Sequence, residues 1–460
     1  RMQFASCPGL ALGNAIDDLD ATLSAWRQTQ PIAATTDLVV ASGSMTPSPS
    51  STMWNSVKAP ASDIGVPEAI PPRSFPNDEI YRQQALSQMR SQLTSLCQSA
   101  SGGSISNVEA EIFDKWQYAR LQPLHDKATP CKLMDCLIPY GEDIVIDATL
   151  AEDLRRLSPS RLSEAASKTI VKQLGHLGAR AVRNARLARD QPPARISKTI
   201  HDCFVHLAAR KISVKVRQEH FDKLLHMYRG PPGQLDESVF TLLLRYSSLA
   251  DTGMQAACHE SVFEVLHRRL DVRMECFASP LNCYFTSQFA SLFADTDAVF
   301  GSVGSFFSLR PTSGSYQANP PFIDELIDRM ATRMNELLTD TKEPLSFVVV
   351  VPRRSTTNAW MALHSHRYIR AEATLQQKSH GFCDGAQHRR PSRYKISTCD
   401  TSVFFLQNTA GSLKYPVSSA VLNELLLAFR SRQRDELQEQ FITRKKRKMK
   451  RDSPQPNTKR

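Results

Sequence analysis

The sequence predicts an α/β protein in which a helical domain precedes a mostly parallel, helix-covered sheet, with disordered polar tails at both ends. Three observations carry this. Leu154, Leu157, Leu162, Ile170, Leu174 and Leu177 recur at helical spacings. After Asp271, short apolar runs alternate with helical segments, the pattern of βαβ units. The terminal stretches are polar and lack apolar periodicity.

Residues 1–75, rich in Ser, Thr, Ala and Pro, are expected to be disordered, most clearly from Ser42 to Ser51. Residues 76–250 are expected to form the helical domain. Within it, helices are expected over 78–97, where Ser101-Gly102-Gly103-Ser104 breaks the chain, and over 196–211, 217–228 and 237–249. Arg180, Arg183, Arg186 and Arg189 recur every third residue, a stripe that contacts phosphate or simply faces solvent. Residues 251–442 are expected to form the sheet domain, with strands at 272–278, 305–309, 315–318, 346–351 and 401–406. Helices are expected over 321–338 and 418–441. The run Ser346-Phe347-Val348-Val349-Val350-Val351 suits a strand buried on both faces.

Residues 443–460 form a basic tail. Across 460 residues, 57 Lys and Arg against 46 Asp and Glu leave +11. Nine basic residues and one acid between Arg444 and Arg460 supply +8 of that. The run from Arg444 to Arg451 reads as a nuclear localisation signal or a nucleic-acid arm, so the nucleus is the expected compartment. No stretch approaches about 18 consecutive apolar residues, so no membrane-spanning helix and no membrane partner is expected. The chain begins at Arg1 rather than Met, as a piece of a longer protein would, and no secretory signal is expected. The ten scattered Cys read as reduced thiols. Cys131 with Cys136, Cys203 with His206, and His380 with Cys383 have ligand-like spacing. None has a second pair at zinc-finger spacing, so no metal is expected.

The sharpest chemical signal is Asn319-Pro320-Pro321-Phe322, after a short expected strand and before a helix. In an open α/β sheet that is the carboxyl end of a strand, where ligands bind. The tetrad resembles motif IV of the S-adenosylmethionine-dependent methyltransferases that act on exocyclic amines. The residue types suit adenine N6, whose lone pair is delocalised into the ring. The Asn319 side-chain oxygen can accept one N–H and the Pro320 carbonyl the other, which favours a pyramidal nitrogen. Phe322 offers a flat surface for the base, worth roughly 1–3 kcal/mol, and Pro320 and Pro321 preset the backbone. Upstream, Phe277-Ala278-Ser279-Pro280 and Asn282 are expected to end a strand, open a helix and cradle the cofactor, although the usual Gly-rich loop is missing. Gly301, Ser302 and Phe306 suit close approach and stacking on adenine. Asp295 and Asp297 suit ribose hydroxyls.

These segments lie among a longer set of matches. Phe277 to Phe285, Asp295-Thr296-Asp297, Phe300-Gly301-Ser302, Ser313-Gly314-Ser315 and Ala318 to Phe322 together resemble one family. So do Glu343 to Phe347, Gly385-Ala386-Gln387-His388 and Phe405-Leu406-Gln407-Asn408. The family is that of the phosphorylated-CTD-interacting factors, cap-specific adenosine N6-methyltransferases. The resemblance implies a Rossmann-like methyltransferase core with an N-terminal helical domain. It implies S-adenosyl-L-methionine as donor and capped mRNA as substrate, methylated at N6 of the 2′-O-methyladenosine beside the 7-methylguanosine cap. It also implies a nuclear protein associated with the phosphorylated C-terminal domain of RNA polymerase II, and Asn319 to Phe322 as the catalytic tetrad.

Two departures stand out. The family carries an N-terminal WW domain, whose two Trp lie closer together than Trp26 and Trp54, so no WW domain is expected in this chain. After Val351-Pro352 the family has an acidic-aromatic pair, where this chain has Arg353-Arg354. Cap binding calls for a positive groove and for groups that hold a cationic purine. Lys211, Lys215 and Arg217 are candidates for phosphate. So are His388, Arg389, Arg390, Arg393 and Lys395, with Tyr394 placed to stack; the alternative for these is a basic surface loop. Two other functional readings stay open: N6-adenine methylation at internal RNA or DNA sites, and a catalytically weak scaffold on the polymerase tail.

Overall fold

The structure is a computed structural model that describes residues 73–101, 108–126, 135–141, 148–158, 161–188, 191–249, 255–389 and 393–431. The expected disordered N-terminal region (through residue 72), Arg189, Arg390, residues 432–441 of the last helix and the basic tail lie outside the described residues.

Four helices lead: α1 (Pro76–Ser101), α2 (Val108–Asp126), α3 (Ala148–Leu157) and α4 (Glu164–Ala188). α1 buries Ile80, Leu86, Met89, Leu93 and Cys97, spaced as one helical face requires. It packs on α4 and on α6 (Leu235–Ser248), the helix that follows α5 (Gln218–Met227).

Between α4 and α5 the structure corrects the sequence. The helix expected over 196–211 is absent. Instead β1 (Ser197–His201), β2 (Phe204–Ala209) and β3 (Ile212–Arg217) form an antiparallel sheet. Ile196, Ile200, Phe204 and Leu207 stand at helical intervals, but the next residues alternate as Ile212, Val214, Val216. Val205, Leu207 and Ala209 are buried while their neighbours are partly exposed, the period-2 pattern of a strand. Asp202 and Cys203 both have positive φ, 48° and 64°, as a two-residue hairpin turn demands. Lys211 sits in the second turn.

The main sheet follows α7 (Glu260–Leu270). Its strands are β4 (Val272–Glu275), β5 (Gly314–Ala318), β6 (Leu345–Pro352), β7 (Ile369–Leu375) and β10 (Thr401–Gln407), in the order β4-β5-β6-β10-β7. A separate hairpin pairs β8 (Gly381–Cys383) with β9 (Tyr394–Ile396). The β4–β5 and β5–β6 pairings are parallel, whereas β10 is antiparallel to both β6 and β7. The sheet is therefore mixed rather than mostly parallel. A parallel neighbour needs a helical crossover, and β7 reaches β10 through the β8–β9 hairpin instead.

β6 is buried at every position, as its apolar run predicts. Phe347, Val349 and Val351 face α9 (Asp324–Asp340) and α10 (Asn358–His364), while Val348 and Val350 face α7 and the helical residues 419–431. Short helices α8 (Ala294–Asp297) and α11 (Thr409–Lys414) complete the architecture. Two smaller expectations also change. Residues 306–308 form a 3-10 turn capped by the Ser305 side chain, not a strand. After Glu275 the chain enters turns rather than opening a helix. No described helix is long and apolar enough to cross a membrane.

Candidate active site

β5 ends at Ala318, between two parallel neighbours, and Asn319 is the first residue past its carboxyl end. Asn319 Nδ2 donates to the Ala256 carbonyl at 2.8 Å. Its Oδ1 is buried and has no hydrogen-bond partner among the described residues. An unpaired buried acceptor is uncommon, since such a group carries its full desolvation penalty. Pro320 and Pro321 are buried, and the Pro321 carbonyl accepts from Ile323 N at 2.8 Å just before α9 begins. Phe322 is half-buried and stands edge-on to Phe382, with ring centroids 6.4 Å apart.

Asn319 and Pro321 line a cleft with an empty volume of about 530 Å³, counting the part open to solvent. Of the residues expected to hold a cofactor, Phe277, Ala278, Ser279, Asn282 and Phe306 line the same cleft. Asn282 organises its loop: Oδ1 accepts from Ser279 N at 2.7 Å and from Ser279 Oγ at 3.0 Å, and Nδ2 donates to the Gln255 carbonyl at 2.9 Å. Two asparagines, 282 and 319, thus hold the Gln255-Ala256 segment, which also lines the cleft. Pro280 is buried within the turn.

Asp297, Gly301 and Ser302 are not among the lining residues, but Asp297 and Ser302 bond to Tyr246 and Ser291, which are. Asp297 is fully buried and accepts from Tyr246 Oη at 2.6 Å and Thr296 Oγ1 at 2.8 Å. Burial pushes its carboxyl up to about 7, against the hydrogen bonds from Tyr246, Ser291 and Thr296. Ser302 and Ser291 hydroxyls meet at 2.7 Å. Gly301 has φ +101°, a left-handed position that favours glycine. The sequence therefore named the supports of this wall, whereas Tyr246 and Ser291 are the side chains that reach the cleft.

The loop wall has a second buried acid. Glu275 ends β4 and accepts from Tyr284 N at 2.7 Å and Phe285 N at 3.2 Å. Burial pushes it up to about 7 despite those bonds. Asp295 belongs to a different network: Arg245, fully buried, pairs with both Asp295 and Glu79 at 2.7 Å. Arg82 joins Glu79 to Asp135.

The basic candidates fall around β3 and the β8–β9 hairpin. Lys211 and Lys215 are exposed, and Lys215 Nζ lies 5.0 Å from the Phe204 ring centroid. Arg217 pairs with Glu219 at 2.7 Å, Arg393 with Glu260 at 3.1 Å and Lys395 with Asp384 at 2.8 Å. His388 is buried, and burial with Arg389 beside it pushes the imidazole down to about 3, so a phosphate would meet a neutral ring. Tyr394 is buried edge-on against His259 rather than presented for stacking. Tyr118, Tyr246, Gln255, Ala256, Ser291, Leu292 and Ser305 line the cleft without having been expected there. Only their three-dimensional convergence identifies them. Among the described residues, no group of three or more His, Cys, Asp or Glu is placed to hold a metal ion.

Comparison with known proteins bears on this region. Residues 223–385 match the family model described as the phosphorylated CTD interacting factor 1 WW domain. In this chain that span runs from within α5 to just past β8, includes most of the main sheet and contains a single Trp, Trp360. The chain is 37% identical over 264 residues to the mRNA (2′-O-methyladenosine-N(6)-)-methyltransferase of Mus musculus, and equally to that of Homo sapiens. Each match covers 53% of this chain and 37% of the relative, so the matched part spans well under half the length of those curated proteins. Sheet, tetrad and sequence matches agree: over this region the chain is similar to the phosphorylated CTD interacting factor family.

Proposed function

We propose that the protein transfers a methyl group from S-adenosyl-L-methionine to N6 of the 2′-O-methyladenosine beside the 7-methylguanosine cap of mRNA. The observation that carries this is Asn319 Oδ1, a buried acceptor without a hydrogen-bond partner among the described residues, at a cleft that Asn319 and Pro321 share with the expected cofactor residues. The activity for which the mouse and human relatives are named supplies the substrate class.

The lining fits the donor. Phe277 and Phe306 rings, 5.3 Å apart, offer apolar surface, and Ser279 and Asn282 offer polar groups at one side. When bound, S-adenosylmethionine supplies a methyl group already activated by its sulfonium. The protein's contribution is then alignment. Asn319 Oδ1 accepts one N6 hydrogen and the Pro320 carbonyl the other, which localises the nitrogen lone pair. The Ala256 carbonyl fixes which end of the Asn319 carboxamide faces the amine. Phe322 stacks the base, and Phe382 backs its ring edge.

The test is methyl transfer from labelled S-adenosylmethionine to two matched RNAs, one beginning with the cap and 2′-O-methyladenosine, the other lacking the cap. Labelling of the capped RNA alone, at N6, is expected. Equal labelling discards cap specificity, and no labelling of either discards the activity. On the same reading the protein works in the nucleus with the phosphorylated polymerase tail as partner, and Arg444–Arg451 serves as import signal. Deleting 444–460 is then expected to leave the protein in the cytoplasm.

A further inference from the structure

We propose that Arg353 and Arg354, on the turn after β6, hold phosphate groups of the RNA whose adenosine enters the cleft; this rests on the functional reading above. β5 and β6 run parallel with Ala318 opposite Val349, so the tetrad that follows β5 and the basic turn that follows β6 both leave the carboxyl edge of the sheet. Arg354 Nη1 lies 3.3 Å from Asp324 Oδ1, and Asp324 is two residues past Phe322. The basic turn is therefore at the rim of the tetrad.

The turn is fixed in its backbone and open in its side chains. Arg353 N donates to the Asp400 carbonyl at 2.8 Å, Arg354 N to the Pro352 carbonyl at 3.0 Å, and Thr357 N to the Arg354 carbonyl at 2.9 Å. The Arg353 guanidinium lies 5.7 Å from the Trp360 ring centroid. That ring is itself held by Nε1 donating to Ser402 Oγ at 3.0 Å. Both arginines are exposed. Arg353 has no carboxylate partner among the described residues. The Arg354–Asp324 pair is open to solvent on both sides, so a phosphate can displace it. Of the cations near β3 and the β8–β9 hairpin, Arg217, Arg393 and Lys395 already meet carboxylates, while Lys211 and Lys215 stand exposed farther along the chain from the tetrad. Two adjacent guanidinium forks suit phosphate oxygens. The triphosphate bridge of the cap and the linkages downstream share that chemistry, and the test separates them.

The Arg353→Ala/Arg354→Ala double variant is compared with the wild-type chain on three probes. These are the capped dinucleotide, a capped single-stranded oligonucleotide, and the same oligonucleotide uncapped, with binding of both oligonucleotides measured by fluorescence anisotropy over a salt series. The expected result on the capped oligonucleotide is a KM raised about tenfold with kcat unchanged. Binding of the capped oligonucleotide should weaken alike, with a log–log salt slope smaller by about 0.7 for each phosphate lost; the uncapped probe weakens with it where the phosphates lie downstream and not where they belong to the cap bridge. The melting temperature should hold, since both side chains are exposed. A matching rise in KM for the dinucleotide assigns the phosphates to the cap bridge; an unchanged one assigns them downstream. Unchanged KM, binding and salt slope overturn the proposal. If the wild-type chain methylates no capped RNA, the functional reading falls, and the anisotropy arm still decides the phosphate contact.

Discussion

Tyr246 donates its hydroxyl to Asp297 at 2.6 Å, and no cation among the described residues pairs with that carboxyl. A carboxyl held this way prefers its proton. Asp297 and Glu275 both sit near 7 in the fold, against ordinary values of about 4 in an unfolded chain. Between those values the folded protein binds protons that the unfolded chain has released, so stability falls as pH rises. The urea midpoint is expected to drop between about pH 4 and about pH 7 and to level off above that, and Asp297→Asn is expected to flatten that decline. An unaltered decline in the variant refutes the assignment.

Acid acts in the opposite sense on another set. Burial raises Glu79, but the Arg245 and Arg82 charges overcome it and hold the carboxyl below its usual range. Asp135 is held low by Arg82 and two backbone N–H groups despite its own burial. Their stabilisation is present above the unfolded carboxylate pKa and is lost as pH falls through the folded one. Arg245→Met leaves Asp295 and part of Glu79 buried without their cation. A loss of about 3–5 kcal/mol is expected in chemical denaturation. A loss under about 1 kcal/mol would mean that the network relaxes freely.

Asn319→Ala removes the proposed amine acceptor and the bond to Ala256. Methyl transfer is expected to vanish, with S-adenosylmethionine affinity by calorimetry within about twofold of wild type and stability lower by about 1 kcal/mol. Retained activity would remove Asn319 from the mechanism.

Asn408 matches the family pattern yet lies away from the cleft, and its role is structural. Its side chain donates to the Thr341 and Glu343 carbonyls and accepts from Leu345 N and Gly411 N. It ties the start of β6 to the end of β10. Asn408→Ala should cost about 2–4 kcal/mol without altering the catalytic rate of the folded fraction, which thermal melts and active-site-normalised kinetics can check.

What could be read in the sequence followed from local pattern. The apolar run of β6 and the Asn319 tetrad past β5 were legible because periodicity and punctuation sit within a few residues. The β1–β3 sheet was not, because Ile196, Ile200, Phe204 and Leu207 satisfy a helical interval as well as a pair of hairpins. Positive φ at Asp202 and Cys203 has no loud signal in residues other than Gly and Asn. The opposite wall of the cleft was illegible for another reason. Tyr118 and Tyr246 lie far in sequence from Asn319, and a buried arginine such as Arg245 looks, in one dimension, like any helix-surface cation.

The place of β10 has a consequence for biosynthesis. This strand sits inside the sheet, between β6 and β7, yet is the last strand among the described residues. Until residue 407 has left the ribosome, β6 carries an unpaired edge flanked by Phe347, Val349 and Val351 on one face and Val348 and Val350 on the other. A nascent chain stalled before Thr401 therefore displays an apolar, unsatisfied strand to its surroundings, the kind of segment that recruits holdase chaperones or pairs with its own copies. Completing translation is, for this sheet, the step that closes it against self-association.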